Sequence, residues 1–200
     1  DFFPSIKQER IERLFNSLGY SILLSNLLSK LCCLNNSLPQ GAPTSACLSN
    51  IILFDFDNSI EIYCKSNKIR YTRYADDLTF SGDFNEKKLI EFVKEKLLIE
   101  KLQLNTSKIK LMSKNQRQIV TGIIVNAKIQ VPIEKRKELR QAIYYITKFG
   151  LESHLQKINC TKANYVKHLN GIVNYILHIN PKDQEVVKYK EFLSSLIASQ

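Results

Sequence analysis

No apolar run among the 200 residues reaches the ~18 to 20 that a membrane-spanning helix needs, and the start lacks the basic and apolar regions of a signal peptide. Low-complexity tracts and internal repeats are also missing, and 44% apolar with 24% charged residues is an ordinary globular balance. These absences predict a soluble, cytoplasmic protein without a membrane partner. The cysteines Cys32, Cys33, Cys47, Cys64 and Cys160 are odd in number and show no CxxC spacing, so neither a disulfide framework nor a zinc knuckle is indicated and buried thiols in a reducing compartment are expected. His154, His168 and His178 show no metal-ligand grouping and are expected to be packing or surface residues. The chain starts at Asp1 with no initiator Met, so it is expected to be a piece of something longer.

What is present is basic charge, unevenly placed. Residues 1–64 carry four basic against six acidic side chains, residues 65–130 fourteen against seven, and residues 131–200 eleven against six, within a net charge of +10. The last two thirds are therefore suited to a polyanion.

The apolar spacing predicts a helix over residues 6–18 stopped by Gly19, and a second over 21–34 that is apolar on most faces and expected to be buried. SLPQGAPTSA, residues 37–46, reads as a loop whose Thr44 or Ser45 caps a helix running to Tyr63. Residues 68–74 and 78–81 read as two strands around a tight connection at 75–77, with Gly82 ending the second. An amphipathic helix over 86–102 follows, then short strands near 109–112, 118–125 and 128–131. Beyond Pro132 the pattern is helical: 133–149, then shorter stretches with stops at Gly150, Gly171 and Pro181.

The stretch RYADDLTFSG, residues 73–82, thus places Asp76 and Asp77 at a hairpin tip. Adjacent acids are ordinarily a solvated loop feature. At a strand turn they also suit Mg²⁺, which takes a few hard carboxylate oxygens and leaves other positions to water or phosphate.

LPQGAPTS at 38–45, YADD at 74–77 after YTR and QRQIVTGIIV at 116–125 resemble, in that order and spacing, motifs of reverse transcriptases, most closely the bacterial retron type. VTG at 120–122 after QRQI, together with SLGY at 17–20 and CC at 32–33, favours retrons over the reverse transcriptases of group II introns, diversity-generating elements or abortive-infection systems. The resemblance implies an α+β fold: a palm over residues 1–131, a small antiparallel sheet backed by helices, followed by an all-helical basic thumb over 132–200, with the fingers region absent. It implies an RNA-directed DNA polymerase that uses two Mg²⁺ ions to add dNTPs to a primer 3′ hydroxyl. The product expected is RNA-linked single-stranded DNA of the retron kind, with a structured RNA as template and primer, an RNA–DNA hybrid, an effector protein as candidate partner and a role in antiviral defence.

Residue by residue, Asp76 and Asp77 match the metal-binding acidic pair, and Tyr74 matches the aromatic that supports the primer end; its alternative is a core strand aromatic. Gln40 and Gly41 match the loop beside the incoming nucleotide, where glycine allows close approach; its alternative is an ordinary capped helix start. Phe3 of DFFPSI matches the gate that excludes a 2′ hydroxyl. On that alignment the third metal-binding Asp lies upstream of Asp1, unless a slipped register makes Asp1 the ligand, and the 200 residues alone are expected not to polymerise. Lys108 matches a lysine proposed to protonate pyrophosphate, with Lys110 close enough to be confused with it. Gly122 matches the turn of the primer-gripping hairpin. Lys135, Arg136, Lys137 and Arg140 crowd the start of the first thumb helix, where phosphate contacts are expected. A non-catalytic RNA-binding module that keeps the fold is the alternative of a different class.

Overall fold

The computed structural model describes residues 2–159 and 164–198. The chain divides into two compact units, the first ending at Ile109 and the second beginning at Lys110. Cys160 and Asp1, and with Asp1 the slipped-register reading, lie outside the described residues.

In the first unit a short helix α1 (Phe2–Ser5) leads into α2 (Gln8–Ser17), which ends where Gly19 adopts φ +93° and donates its N–H to the Asn16 carbonyl. Helix α3 (Ile22–Cys32) is capped by Ser21, whose hydroxyl accepts from the Leu24 amide. The expectation that α3 buries its apolar surface is corrected. Ser25 and Ser29 face inward, fully buried, while Leu23 is 86% and Leu31 74% exposed. The inward side is a polar seam: Ser29 donates to the Asn26 carbonyl and accepts from Gln8, and Asn26 donates to Glu12. Small serines let α3 lie close against α2, and the leucine stripe of the helix is left on the outside.

Helix α4 (Pro43–Ile52) begins with Pro43 in its first turn. Neither Thr44 nor Ser45 caps it; Ser45 instead turns inward and donates to the Pro39 carbonyl at 2.7 Å. The expected single helix to Tyr63 is interrupted at Leu53, with α5 (Phe54–Ser66) continuing beyond. Arg10 donates to the Ile52 carbonyl from outside the helix, a side-chain intrusion of the sort that bends helices.

Strands β1 (Arg70–Tyr74) and β2 (Asp77–Ser81) form an antiparallel pair, with Tyr74 opposite Asp77, Arg73 opposite Leu78 and Tyr71 opposite Phe80. Gly82 ends β2 at φ +143°, and a Cβ there would meet the Lys68 carbonyl oxygen at 3.1 Å. Helix α6 (Glu86–Ile99), capped by Asn85, packs on α5 through a core of Phe56, Ile60, Leu89, Val93 and Leu97. Ile6, Ile11, Leu38 and Leu48 make a second core. Residues Thr106–Lys108 form one 3₁₀ turn.

The strand expected over 109–112 does not form. Those residues have no partner strand among the described residues, and an unpaired segment has no ladder to join. A minimal hairpin follows, β3 (Ile119–Val120) against β4 (Ile123–Ile124), turned by Thr121 and Gly122 at φ +48° and +83°. From the segment 128–131 only Gln130 pairs, bridging Ile124. Helix α7 (Ile133–Phe149) has the bounds the sequence predicts, and α8 (Leu151–Lys157), α9 (Tyr165–Ile179) and α10 (Gln184–Ala198) follow. Gly171 does not stop a helix but sits inside α9, where packing of Leu169, Val173 and Ile176 outweighs the ~1 kcal/mol helix cost of glycine. Among the thiols, Cys64 is buried as expected but Cys47 is exposed. The fold is thus helix-rich with two small antiparallel sheets, and no described helix is long and apolar enough to cross a membrane.

Candidate functional site

Strand alternation decides which side chains of the acid hairpin face the helices. Tyr71 and Arg73 point inward, and Arg70, Thr72 and Tyr74 point outward, with Tyr74 72% exposed. The outward ring of Tyr74 is not a core aromatic. Between Tyr74 and Asp77 the turn consists of Ala75 and Asp76, with Ala75 at φ +52°, a left-handed conformation that a non-glycine residue adopts at a cost.

Asp76 and Asp77 are both exposed, and among the described residues neither carboxylate has an ion-pair or hydrogen-bond partner. Two hard, unpartnered carboxylates side by side fit a divalent cation that completes its shell with water or phosphate. Among the described residues no third acidic, histidine or cysteine side chain joins them.

Beneath the turn lies a constellation that sequence reasoning missed. The Arg73 side chain, 6% exposed, donates from Nε to Asp57 of α5 at 2.8 Å and from Nη2 to the other carboxylate oxygen. Its Nη1 reaches Asn50 Oδ1 of α4 at 3.0 Å and the Ala75 carbonyl at 3.2 Å. Tyr71 also donates its hydroxyl to Asp57 at 2.7 Å. Burial, then the Asp57 carboxylate, pushes the Tyr71 phenol well above its ordinary value, and the hydrogen bond to Asp57 raises Arg73. The available signal was phase: an arginine on the same strand face as an apolar-packed tyrosine needs a buried acid opposite it.

Phe3 is half-buried, its ring 5.2 Å from that of Phe2, against the Ile6, Ile11, Leu38 and Leu48 core. The segment carrying it is tied to the Gln40 loop by the Leu38 amide, which donates to the Ile6 carbonyl at 3.1 Å. Gln40 and Gly41 are exposed; Gly41 has φ +91° and nothing within 4 Å of a notional Cβ, so the loop presents open backbone. Since α4 starts just after this loop and carries Asn50, the Phe3 segment, the Gln40 loop and the acid hairpin belong to one packed unit. Lys108 ends the 3₁₀ turn with its side chain exposed, and Lys110 is exposed beyond it.

The remaining candidates lie in the second unit. Gly122 occupies its expected place at a hairpin turn. At the start of α7, Lys137 is exposed and Lys135 lies over the Tyr175 ring at 5.0 Å. Arg136 and Arg140 are committed within the unit: Arg136 pairs with Asp183 and Glu185, and Arg140 with Glu185. Hydrogen bonding from Arg140, chiefly, holds the Glu185 carboxyl down to about 2. His154 is buried beside Tyr165, with its ring stacked on Tyr145, and burial lowers its basicity.

Residues 2–168 match the family described as Reverse transcriptase (RNA-dependent DNA polymerase). The chain is 36% identical over 185 residues to the Retron Ec86 reverse transcriptase of Escherichia coli, covering 91% of this chain and 54% of that protein. It is 29% identical over 207 residues to the Retron Mx65 reverse transcriptase of Myxococcus xanthus, covering 92% and 46%. With the Retron Ec83 reverse transcriptase of Escherichia coli it shares 32% over 173 residues, covering 78% and 52%. The chain spans about half the length of these curated relatives.

Proposed function

The chain belongs to the reverse transcriptase family, and from that premise we propose that it carries the palm and thumb of a retron-type RNA-directed DNA polymerase, with residues 1–131 as palm and 132–200 as thumb. The observation that carries this reading is the pair of exposed, unpartnered carboxylates, Asp76 and Asp77, at the tip of a short hairpin. Two Mg²⁺ ions held by these and a third carboxylate would lower the barrier to attack of a primer 3′ hydroxyl on the α-phosphate of a dNTP and neutralise the departing pyrophosphate.

The residues of the chain do the placing. Tyr74 offers an exposed aromatic face beside the acid pair, suited to packing under the last primer nucleotide. Gln40 and Gly41 offer side-chain amide and open backbone to the incoming nucleotide and its template base. Phe3 sets the floor beneath the sugar, and Lys108 brings an ammonium toward the leaving phosphate, where positive charge aids the transition state. Gly122 lets the second hairpin turn tightly enough to hold the primer strand, while Lys135 and Lys137, with Arg136 and Arg140, line the start of the thumb. The partners are a structured RNA serving as template and primer, the growing RNA–DNA hybrid and dNTPs; an effector protein is a further partner of the retron reading, and RNA-linked single-stranded DNA its product.

The experiment compares full-length wild type with the Asp76→Asn, Asp77→Asn double variant on cognate RNA with Mg²⁺ and dNTPs. DNA synthesis is expected to fall at least ~1,000-fold, several kcal/mol of lost charge stabilisation, with RNA binding retained. Equal synthesis by both proteins would sink the polymerase reading.

A further inference from the structure

Arg73 is the basic residue nearest the acid pair along the sequence, yet its partners lie elsewhere. Its fork is closed on Asp57, its remaining nitrogen is shared between Asn50 and the Ala75 carbonyl, and its side chain is almost wholly buried. One side chain thus ties α4, α5 and the hairpin turn together at a residue, Ala75, whose φ of +52° needs outside support. Asp57 is itself held by a second donor, the Tyr71 hydroxyl, so the carboxylate that holds the arginine is fixed in place.

We propose that Arg73, fixed by Asp57 and Asn50, is a positioning residue that holds the Ala75–Asp76 turn and, by being engaged elsewhere, leaves both carboxylates of the acid pair free for divalent cations. The inference rests on the polymerase reading above. An arginine remains charged at any working pH and bonds carboxylates in two-pronged fashion. Released from Asp57, it would lie within two residues of the turn and would be drawn to Asp76 or Asp77 in competition with the metal, while Glu61, the other acid of that cleft, is already paired with Lys65. A lysine could not replace it, since a single ammonium cannot at once fork onto a carboxylate and reach both an amide and a carbonyl. Because Asn50 lies on the helix that starts just after Gln40 and Gly41, the same guanidinium also fixes the acid turn relative to the helix following the nucleotide loop.

The test uses full-length protein and two readouts. Mn²⁺ binding is followed by electron paramagnetic resonance without nucleic acid, and DNA synthesis on an RNA template annealed to a DNA primer is titrated with Mg²⁺. Groups that orient metal ligands typically change affinity 10- to 100-fold, so Arg73→Gln and Asp57→Asn are expected to weaken Mn²⁺ binding and raise the half-saturating Mg²⁺ about 10-fold. Excess Mg²⁺ should recover most of the synthesis rate, and template–primer affinity should not move. The Asp57→Asn, Arg73→Gln double variant should bind Mn²⁺ better than Asp57→Asn alone, because the released cation is gone.

Arg10→Gln, which breaks another ion pair of the same unit, with Glu100, serves as a structural control. It should lower the melting temperature without moving Mn²⁺ affinity. Wild-type Mn²⁺ affinity in Arg73→Gln, or an equal loss in Arg10→Gln, overturns the proposal. If Arg73→Gln does not fold, Asn50→Ala removes one acceptor at an exposed position and should show a smaller shift of the same kind; no shift overturns the proposal. A wild type that makes no DNA while its Mn²⁺ affinity still depends on Arg73 would refute the polymerase reading and leave the positioning role standing.

Discussion

Arg140 closes two hydrogen bonds on Glu185, from Nε at 2.8 Å and from Nη2 at 2.9 Å, and so joins α7 to α10. Glu185 also accepts from Arg136 and from the Tyr189 hydroxyl, and its carboxyl is held down to about 2 against an ordinary 4.5. A carboxyl with a lowered folded pKa contributes stability that is fully present above its unfolded value. The contribution is lost as the pH falls through the folded value. The stability difference between wild type and Glu185→Gln should therefore be constant above pH 4.5 and shrink between 4.5 and about 2. Thermal unfolding across that range checks it, and a difference that does not change with pH would show that the pairing contributes nothing.

The same pairing ranks the basic residues at the start of α7. Arg136 and Arg140 already face acids, whereas Lys137 is exposed and Lys135 lies over an aromatic ring. In full-length protein, Lys135→Ala with Lys137→Ala should reduce the slope of log affinity for RNA–DNA hybrid against log salt by about 1.5, since each phosphate contact contributes roughly 0.7 to 0.9. Arg140→Ala should change that slope less. The reverse ranking would place the phosphates on the arginines.

Much of this architecture was legible in the chain, and the misses share a physical cause. Local signals sufficed where one residue dictates backbone geometry: the 70–81 hairpin, the Gly122 turn and the Ile133–Phe149 helix lie where spacing and turn residues put them. They failed where a distant partner decides. The leucines of α3 look like core, but Ser25 and Ser29 take the inner face because Gln8, Asn16 and Tyr20 supply hydrogen bonds there. The helix breaks at Leu53, beside the Ile52 carbonyl that Arg10 reaches from far along the chain, and among the described residues no strand pairs with 109–112. At the site, the acid pair was legible from its neighbours in sequence, while Asp57 and Asn50 are brought to Arg73 only by folding.

Gly82 is where the acid hairpin is most exposed to a single-methyl change. Its φ of +143° is closed to other residues, and a Cβ would press on the Lys68 carbonyl oxygen at 3.1 Å, backbone that cannot rotate away. Gly82→Ala should destabilise the first unit by about 1–3 kcal/mol. Chemical denaturation measures this directly. Wild-type stability in the variant would mean that the end of β2 relaxes freely.

The last expectation concerns the sugar. Phe3 is half-buried, packed against Phe2 and the Ile6 core. If its ring lies under the ribose, an added 2′ hydroxyl clashes with it, and Phe3→Ala relieves the clash without touching Asp76 or Asp77. In full-length enzyme the preference for dNTP over rNTP should fall about tenfold or more, a steric effect of the size seen for single groups in apolar pockets. The same truncation removes core packing and costs up to ~3–5 kcal/mol. Phe3→Leu, which keeps apolar volume but loses the flat ring, therefore provides the comparison: it should hold stability better and still admit more rNTP. Unchanged sugar selectivity in both variants would show that the DFF register is wrong and that Phe3 is a packing residue only.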